Sequence, residues 1–568
     1  MRIADSRRLT GGNLQSANPC AVAEVQFEEG EDQQVAINAW RNHLTHFCKE
    51  LEVNFGRPFV RLYQGGACLG LDAPIDALYA ATEINEYAID LASTRSERTH
   101  DEALKHFKTA LDQEANHRLL ALQTEAMRRN CPFLWDDDEV SIGFGKHAQV
   151  WAADNLPQLE DIDWPVEGRI PVAMITGTNG KTTTSRMLTR ILKTSGLFVG
   201  STSTDGVCID EKIVEAGDWT GTGAARMVLR RPEVSAAVLE TARGGLLRRG
   251  LSMNGCDVAV LTNVAADHLG DYGIDDVAAM AEVKCLIGSA VKPGGTRVIN
   301  ADDIHLMTRR HDYDTPIVLF GLNHEHPELV AHRQAGHSCW SVDAGMIVYS
   351  QADESQPLMR TQDIPCTFGG AAQHNISNAL AASAAASILG VDHQTIKAAL
   401  AQFGEQPTDN PGRSQLAEVH GVKIMLDFGH NSHGLEAILD LGKRLIAKQN
   451  DARLCVSLGQ AGDRLDSEIY ALSDTLSAMG TDRVILREMA GYERGRAPTE
   501  VATMIRKRLI EQNYDSDNIQ IVKGEVKALD DAFNWAKPGD LIMLLVHLER
   551  EAVSQWITDQ KASESEAN

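Results

Sequence analysis

The sequence predicts an α/β protein with two parallel-sheet domains behind a smaller α+β N-terminal domain, and three observations predict it. From Ile170 onward, short apolar runs alternate with helical stretches, the pattern of strands joined by crossover helices. A glycine-bearing loop, Thr176–Thr184 (TGTNGKTTT), sits between one such run and a helix. Residues 1–165 have a different texture and lack that alternation. A chain of 568 residues exceeds what one core organises. The expected divisions are 1–165, 166–408 and 409–560, with 561–568 a disordered tail.

Taken in order, Ala21 to Phe27 alternates like a strand. Between His100 and Asn130, Leu104, Phe107, Leu111, Ala115, Leu119 and Leu122 recur at three- and four-residue steps, predicting one long helix with an apolar face. The acidic run Asp136–Glu139 reads as a solvated turn, and 155–168 (NLPQLEDIDWPVEG) as a polar linker. Pro171–Thr176, Val234–Glu240 and Cys256–Thr262 read as buried strands, and Thr183–Thr194 as a helix. The β-branched stretch Tyr313–Phe368 suggests a small antiparallel insert. Four more strands, at 422–426, 454–458, 484–486 and 541–546, outline the last domain.

Composition narrows the function. Hydrophobic residues at 43% and charged residues at 23% exclude a disordered or fibrous chain. With 54 Lys and Arg against 79 Asp and Glu, the net charge of -25 repels phosphate backbones, so no nucleic-acid partner is expected. The N-terminus carries no apolar leader and no stretch reaches the ~20 apolar residues of a membrane span. The 10 cysteines are scattered without a CxxC pair, which reads as reduced thiols and a cytoplasmic location. His430 and His433 form a lone HxxH without further metal-ligand spacing.

The loop at 176–184 is built for a nucleotide triphosphate. Gly177 and Gly180 let the backbone curl its N–H groups toward an anion at a helix N-terminus. Lys181 reaches the β and γ phosphates, and the Thr182 hydroxyl suits Mg²⁺. The first glycine of the longer P-loop pattern is Ile175 here, so the match is to the shorter GxxGKT form.

TGTNGKTTT resembles the ATP loop of the Mur ligase family, which includes folylpolyglutamate synthase. The segments STSTDGVCID, GDWTGTGAARMVL, VLETARGGLLRRGL, TNVAADHLGDYGI, NPGRSQLAEVHGVKIMLDFGHNSHGLEAI, AGDRLD and YERGRAPTEV follow in order. They are similar to the Mur-like domain of the cyanophycin synthetases. The resemblance implies a central P-loop domain plus a Rossmann-like C-terminal domain. It also implies an ATP-dependent amide ligase: a carboxylate attacks the γ phosphate, and an amine displaces phosphate from the acyl phosphate, leaving an amide, ADP and phosphate.

The resemblance also implies roles for particular residues. Thr178, Asn179, Gly180, Lys181, Thr182, Thr183 and Asn263 hold the triphosphate, with Thr182 and Glu240 on a first Mg²⁺ and His268 on a second. Lys284 lies where these ligases often carry a carbamylated lysine. His374, Asn375 and Asn378 match an HNxxN segment beside the adenine. Arg413 and Asp427 come from the C-terminal domain toward the γ phosphate and the ribose. Thr204, Asp205, Thr220 and Arg243 line the acyl side. His430, Asn431, Asp463, Arg464, Arg494 and Arg496 face the amine substrate. Lys181, Glu240, His268, Lys284 and Arg413 carry the chemistry.

The sequence departs from the pattern in places. DFGHNS replaces the usual DYAHNP, so Phe428 lacks a hydroxyl, and Trp219 stands in GDWTGTG where the related segment reads GDCTGP. Only about 165 residues precede the ligase-like part, too few for an ATP-grasp domain. The chain is therefore expected to make one type of bond, or to work with a separate ATP-grasp ligase. A homo-oligomer (a dimer or higher) acting on amino-acid and peptide carboxylate substrates is expected. The alternative is a nucleotide-binding scaffold derived from such a ligase. The complete set Lys181, Thr182, Glu240, His268, Arg413 and Asp427 discriminates against it, since a retired site loses members.

Overall fold

The N-terminal domain grows from two hairpins. Strands β1 (Arg2–Leu9), β2 (Cys20–Gln26), β3 (Phe59–Tyr63) and β4 (Gly66–Asp72) form an antiparallel sheet in the order β1-β2-β4-β3. Helices Gln33–Glu50 and Leu78–Ala92 pack on it, burying Trp40, Leu44, Phe47 and Ile84 against Val25, Leu69 and Leu71. The Trp40 indole donates to Asn85 Oδ1 at 2.9 Å, satisfying both buried groups. In this computed structural model, residues 1–96, 98–449 and 451–567 are described, 565–567 by their backbone alone.

The stripe expected to form one helix forms two, His100–Glu114 and His117–Arg128. Ala115 adopts ψ 122°, and the Asn116 side chain accepts from Leu119 N at 3.0 Å, opening a second helix where the apolar spacing continues unbroken. A small sheet of β5 (Phe133–Trp135), β6 (Glu139–Ile142) and β7 (Gln149–Ala152) follows. The acidic turn at 136–139 is a seam rather than a free surface, because Arg230 donates to Asp136 at 2.7 Å and Glu139 at 3.0 Å. The stretch read as a linker also packs down, with Leu156 and Ile162 buried in the N-terminal core.

The central domain carries an eleven-stranded sheet. Its strands are β8 (Val172–Thr176), β9 (Val199–Ser203), β10 (Gly206–Ile209), β11 (Lys212–Ala216), β12 (Ala236–Glu240), β13 (Cys256–Leu261), β14 (Val291–Asn300), β15 (Ile317–Gly321), β16 (Ser338–Asp343), β17 (Met346–Gln351) and β18 (Glu354–Arg360). The order is β11-β10-β9-β12-β8-β13-β14-β15-β16-β17-β18, parallel from β9 to β16 and antiparallel at both rims. The expected antiparallel insert at 313–368 is thus the far edge of this sheet. The apolar run at 317–320 is a parallel strand beside β14, and only β17 and β18 turn antiparallel. Helix Gln373–Ile388 lies against helix Lys181–Thr194, and its buried alanines permit the close approach.

The C-terminal domain has β19 (Gln415–Val419), β20 (Val422–Asp427), β21 (Leu454–Leu458), β22 (Arg483–Glu488), β23 (Ile519–Lys523) and β24 (Leu541–Leu545), in the order β19-β20-β24-β21-β22-β23. All pairs are parallel except the β19–β20 hairpin. The segment expected to be a disordered tail continues helix Arg550–Ala567, anchored by buried Val553 and Ile557 and by Glu564, which accepts from His420 N at 3.1 Å. Asn568, the last residue of that expected tail, lies outside the described residues. No helix among the described residues is long and apolar enough to cross a membrane. All ten cysteines are free thiols, most of them buried.

Main-chain bonds join the N-terminal domain to helix Arg243–Arg249 of the central domain. Thr10 N donates to Arg249 O at 2.8 Å and Leu251 N to Gly12 O at 2.7 Å, and the Arg7 side chain adds a bond from its Nε to Leu247 O at 2.9 Å.

Candidate active site

Strand β8 ends in the phosphate loop, and the neighbouring strand β13 holds that loop open. Asn263 O accepts from Thr178 N at 2.8 Å, and its Oδ1 accepts from Asn179 N at 2.9 Å. The Thr262 hydroxyl donates to Asn179 O at 2.7 Å. Two glycines are obligatory here. A Cβ at Gly177 would stand 1.9 Å from Thr262 Oγ1, and one at Gly180, where φ is +84°, would stand 2.3 Å from Asn378 Oδ1. Lys181 opens the helix and folds back over the loop, its Nζ donating to Gly177 O at 3.1 Å and Thr178 O at 3.0 Å. Thr183 lies beneath, its hydroxyl accepting from Asn410 Nδ2 at 3.3 Å.

Beside the loop, strand β12 ends at Glu240, which is 2% exposed. Both of its carboxylate oxygens are buried without a hydrogen bond of ordinary geometry. Burial pushes its carboxyl up, against the pull of Lys181, Thr182, Arg413 and Arg186. The Thr182 hydroxyl lies 3.2 Å from that of Thr204. A buried carboxylate with free lone pairs beside a hydroxyl is the hard oxygen set that Mg²⁺ takes, so these residues fit a first ion.

Lys284 is buried under the same loop and donates to Gly177 O at 2.9 Å. Burial, with Lys181 nearby, lowers its ammonium to about 7.

The C-terminal domain closes the site from the other side. Asn179 and Asn431 exchange amide hydrogen bonds at 3.1 and 3.0 Å, and Asn179 Nδ2 also meets His433 Nδ1 at 3.0 Å. The second histidine of the HxxH pair therefore contacts the loop and not His430. Arg413 lies over the Phe428 ring at 4.3 Å and donates to Thr204 Oγ1 at 3.1 Å. Asp427 accepts from Ser414 N at 2.6 Å and Gly429 N at 2.8 Å, while His374 Nε2 meets Ser414 Oγ at 3.1 Å. Asn375 donates to Cys366 O at 2.8 Å, and Asn378 Oδ1 accepts from Thr184 Oγ1 at 3.3 Å, so both amides brace the helix start.

Asp267, His268 and His430 form a second cluster whose ligand atoms lie within 4.8 Å of one another. Burial would raise the Asp267 carboxyl, but His430, His268 and Arg464 hold it well below the usual range. Burial lowers His268 to about 4. Arg464 donates to His268 Nε2 at 2.7 Å, taking the lone pair a second ion would need. As arranged here this cluster does not fit that ion.

Lys181, Lys284, Asp267, His268 and Phe428 border one cleft of about 1410 Å³, formed by all three domains. Of the expected substrate residues, Thr204, Thr220, Arg243, His430, Asp463, Arg464 and Arg494 line it. Arg243 donates to His268 O at 2.5 Å and to Asp271 at 2.9 Å. Asp205 does not line it; its carboxylate bridges Arg186 at 2.6 Å and Arg550 at 2.8 Å, an ion-pair hub between domains. Arg496 is likewise structural, clamping Gly462 O, Arg464 O and Asp466. Sequence reasoning missed Arg8, Tyr79, Arg248 and Arg249, which also line the cleft. No local motif marks them, because they meet only when β1 lies beside helix Arg243–Arg249.

Fold and site together define a P-loop nucleotide-binding α/β protein with its active cleft between domains. The Mur ligase middle domain matches residues 175–386, and the Mur ligase glutamate ligase domain matches 412–545. The chain belongs to the Mur ligase family. It is 35% identical over 422 residues to cyanophycin synthetase of Synechocystis sp., covering 73% of this chain and 47% of that one. It is 27% identical over 416 residues to the UDP-N-acetylmuramoyl-L-alanyl-D-glutamate–2,6-diaminopimelate ligase of Geobacter metallireducens, covering 67% and 74%. The chain spans about half the length of the cyanophycin synthetases it matches. Among solved structures, E. coli FolC in complex with DHPP and ADP shares the fold, with TM-score 0.52 and 19% identity over 69% of this chain and 89% of that one.

Proposed function

We propose that the chain joins an amino-acid amine to a carboxylate of an Asp-like or peptide substrate through an acyl phosphate, consuming ATP. The observation that carries this reading is the buried, unpaired Glu240 carboxylate set beside the phosphate loop and facing Arg413 across the domain seam. Lys181 exchanges its two loop carbonyls for phosphate oxygens when nucleotide arrives. Thr182 and Glu240 would hold a divalent cation, which would supply charge neutralisation to the transferring phosphoryl group. The substrate carboxylate oxygen forms a bond to the γ phosphorus as the bond to ADP breaks. The amine nitrogen then bonds to the acyl carbon, phosphate leaves with the former carboxylate oxygen, and the amine gives up a proton. Arg413 and Lys181 stabilise the charge that crowds between carboxylate and phosphate. Arg243 orients the acyl substrate, and Asp463 with Arg494 receives the amino acid. Drawing the C-terminal domain onto the loop excludes water from the acyl phosphate. A cytoplasmic homo-oligomer that shares its polymer or peptide substrate with an ATP-grasp ligase is the setting this reading favours.

The test is phosphate release from ATP with single amino acids paired against Asp-containing peptides. One amine–carboxylate pair is expected to raise turnover well above the ATP-only rate. If none does, the chain is a nucleotide-binding scaffold.

Lys284 carries a dependent prediction. Carbamylation joins a neutral amine to CO₂ with release of a proton, and a lysine lowered to about 7 is largely neutral above that pH. Activity is expected to fall in CO₂-free buffer and to return with bicarbonate, faster at pH 8 than at pH 6.5. Full activity without CO₂ would assign Lys284 to a direct contact with the phosphate loop instead.

A further inference from the structure

Three side chains of the N-terminal domain converge on one point without any part in the ligation. His46 and Glu50 stand four residues apart on the last turns of helix Gln33–Glu50, and so share one face. His100 opens the helix His100–Glu114, whose start is fixed by a capping box between Thr99 and Glu102. One oxygen, Glu50 Oε2, lies 2.9 Å from His100 Nε2 and 3.5 Å from His46 Nε2. The two imidazole centroids are 6.0 Å apart, and the three donor atoms all fall within 4.8 Å of one another. The core sets the rings from below. Phe47 is fully buried, meets the His100 ring at 5.0 Å, and is locked edge-on against Tyr87 at 5.1 Å and Phe107 at 6.2 Å.

We propose that His46, Glu50 and His100 form a binding site for a zinc-class dication, with water in the remaining position. Two imidazole nitrogens and one carboxylate oxygen suit zinc, cobalt(II) or nickel(II), whereas Mg²⁺ and Ca²⁺ prefer all-oxygen sets. Three protein ligands leave a tetrahedral ion one open position. Bonds of about 2.0–2.2 Å require only side-chain rotation from the present spacing, and the donors are exposed, so the ion has an open path. An ion there adds a metal bridge between helix Gln33–Glu50 and helix His100–Glu114, which already meet in the core through Phe47 and Phe107. Its effect is on the stability of the N-terminal domain and is independent of nucleotide.

The experiment titrates Zn²⁺ into the metal-stripped full chain by calorimetry and follows thermal unfolding with and without Zn²⁺. Because the Asp267–His268–His430 cluster also offers imidazoles, three proteins are compared: wild type, His46→Ala/His100→Ala and His268→Ala. Wild type and His268→Ala are expected to bind one Zn²⁺ equivalent that the double variant lacks, and to show a Zn²⁺-dependent rise in unfolding temperature that the double variant does not. Equal stoichiometry in wild type and the double variant overturns the proposal. So does loss of that equivalent in His268→Ala alone.

Discussion

Lys181→Ala is expected to lower ATP-dependent phosphate release by on the order of 10³-fold or more while the chain stays folded. Lys181 is the ammonium folded over the phosphate loop, and an acidic chain of net charge -25 offers little diffuse positive field to replace it. Its folded-state bonds are modest, two contacts to loop carbonyls that water can take over. The loop itself is held by Thr262 and Asn263, which the substitution leaves untouched. Circular dichroism and the unfolding temperature should therefore match wild type. Lys181→Arg is expected to rescue little, because a branched planar guanidinium does not fit a cradle shaped around a point charge. Turnover retained in Lys181→Ala would remove the phosphate-loop assignment.

Glu525→Ala is expected to cost about 3–5 kcal/mol of stability, because it leaves Arg487 buried without its counter-charge. The two side chains are 1% and 2% exposed. The Glu525 carboxylate does more than neutralise Arg487. It accepts from His547 N at 2.7 Å, Leu548 N at 3.2 Å and Glu549 N at 2.7 Å, ordering the loop after β24. That loop places His547 and Leu548 on the cleft wall and delivers Arg550 to Asp205. Thermal unfolding of the C-terminal domain should drop by roughly 10 °C or more. At temperatures where the variant remains folded, KM for ATP should rise as the Arg550–Asp205 contact loosens. A shift under about 1 °C, which is far less than loss of a buried charge partner produces, would show that the loop is held by other means.

Much of this was legible in the sequence where chemistry is local. The phosphate loop, the strands flanking it and the carboxylate at the end of β12 each announce themselves within a few residues, because a curled anion cradle needs glycine, lysine and threonine at fixed offsets. The parallel strands of the C-terminal domain read as apolar runs for the same reason, though β19 and β23, at the two edges of that sheet, carry weaker patterns. The errors share a physical origin. The helix break at Ala115–Asn116 keeps its apolar spacing through the kink, so periodicity could not show it. The stretch 313–368 has the composition of an antiparallel insert, yet the pairing of β15 with β14 is decided by tertiary contact. Asp205 and Arg496 lie in the matching segments but spend their charges on ion pairs, which only the assembled domains reveal. The arginines at 248 and 249 became visible only through a contact between residues far apart in the chain.

The stitching of β1 to helix Arg243–Arg249 limits how this protein can be recombined. The bonds Thr10–Arg249 and Gly12–Leu251 are backbone to backbone, so they depend on register and not on side-chain identity. A Cβ at Gly11 would fall 2.2 Å from Leu251 O, which demands glycine at that crossing. A chimera that imports a foreign N-terminal domain must therefore carry residues 243–251 with it, or the graft will meet a backbone edge of the wrong spacing. The transferable module is the N-terminal domain together with one helix of the domain that follows, and its natural cut lies inside the Mur ligase middle domain.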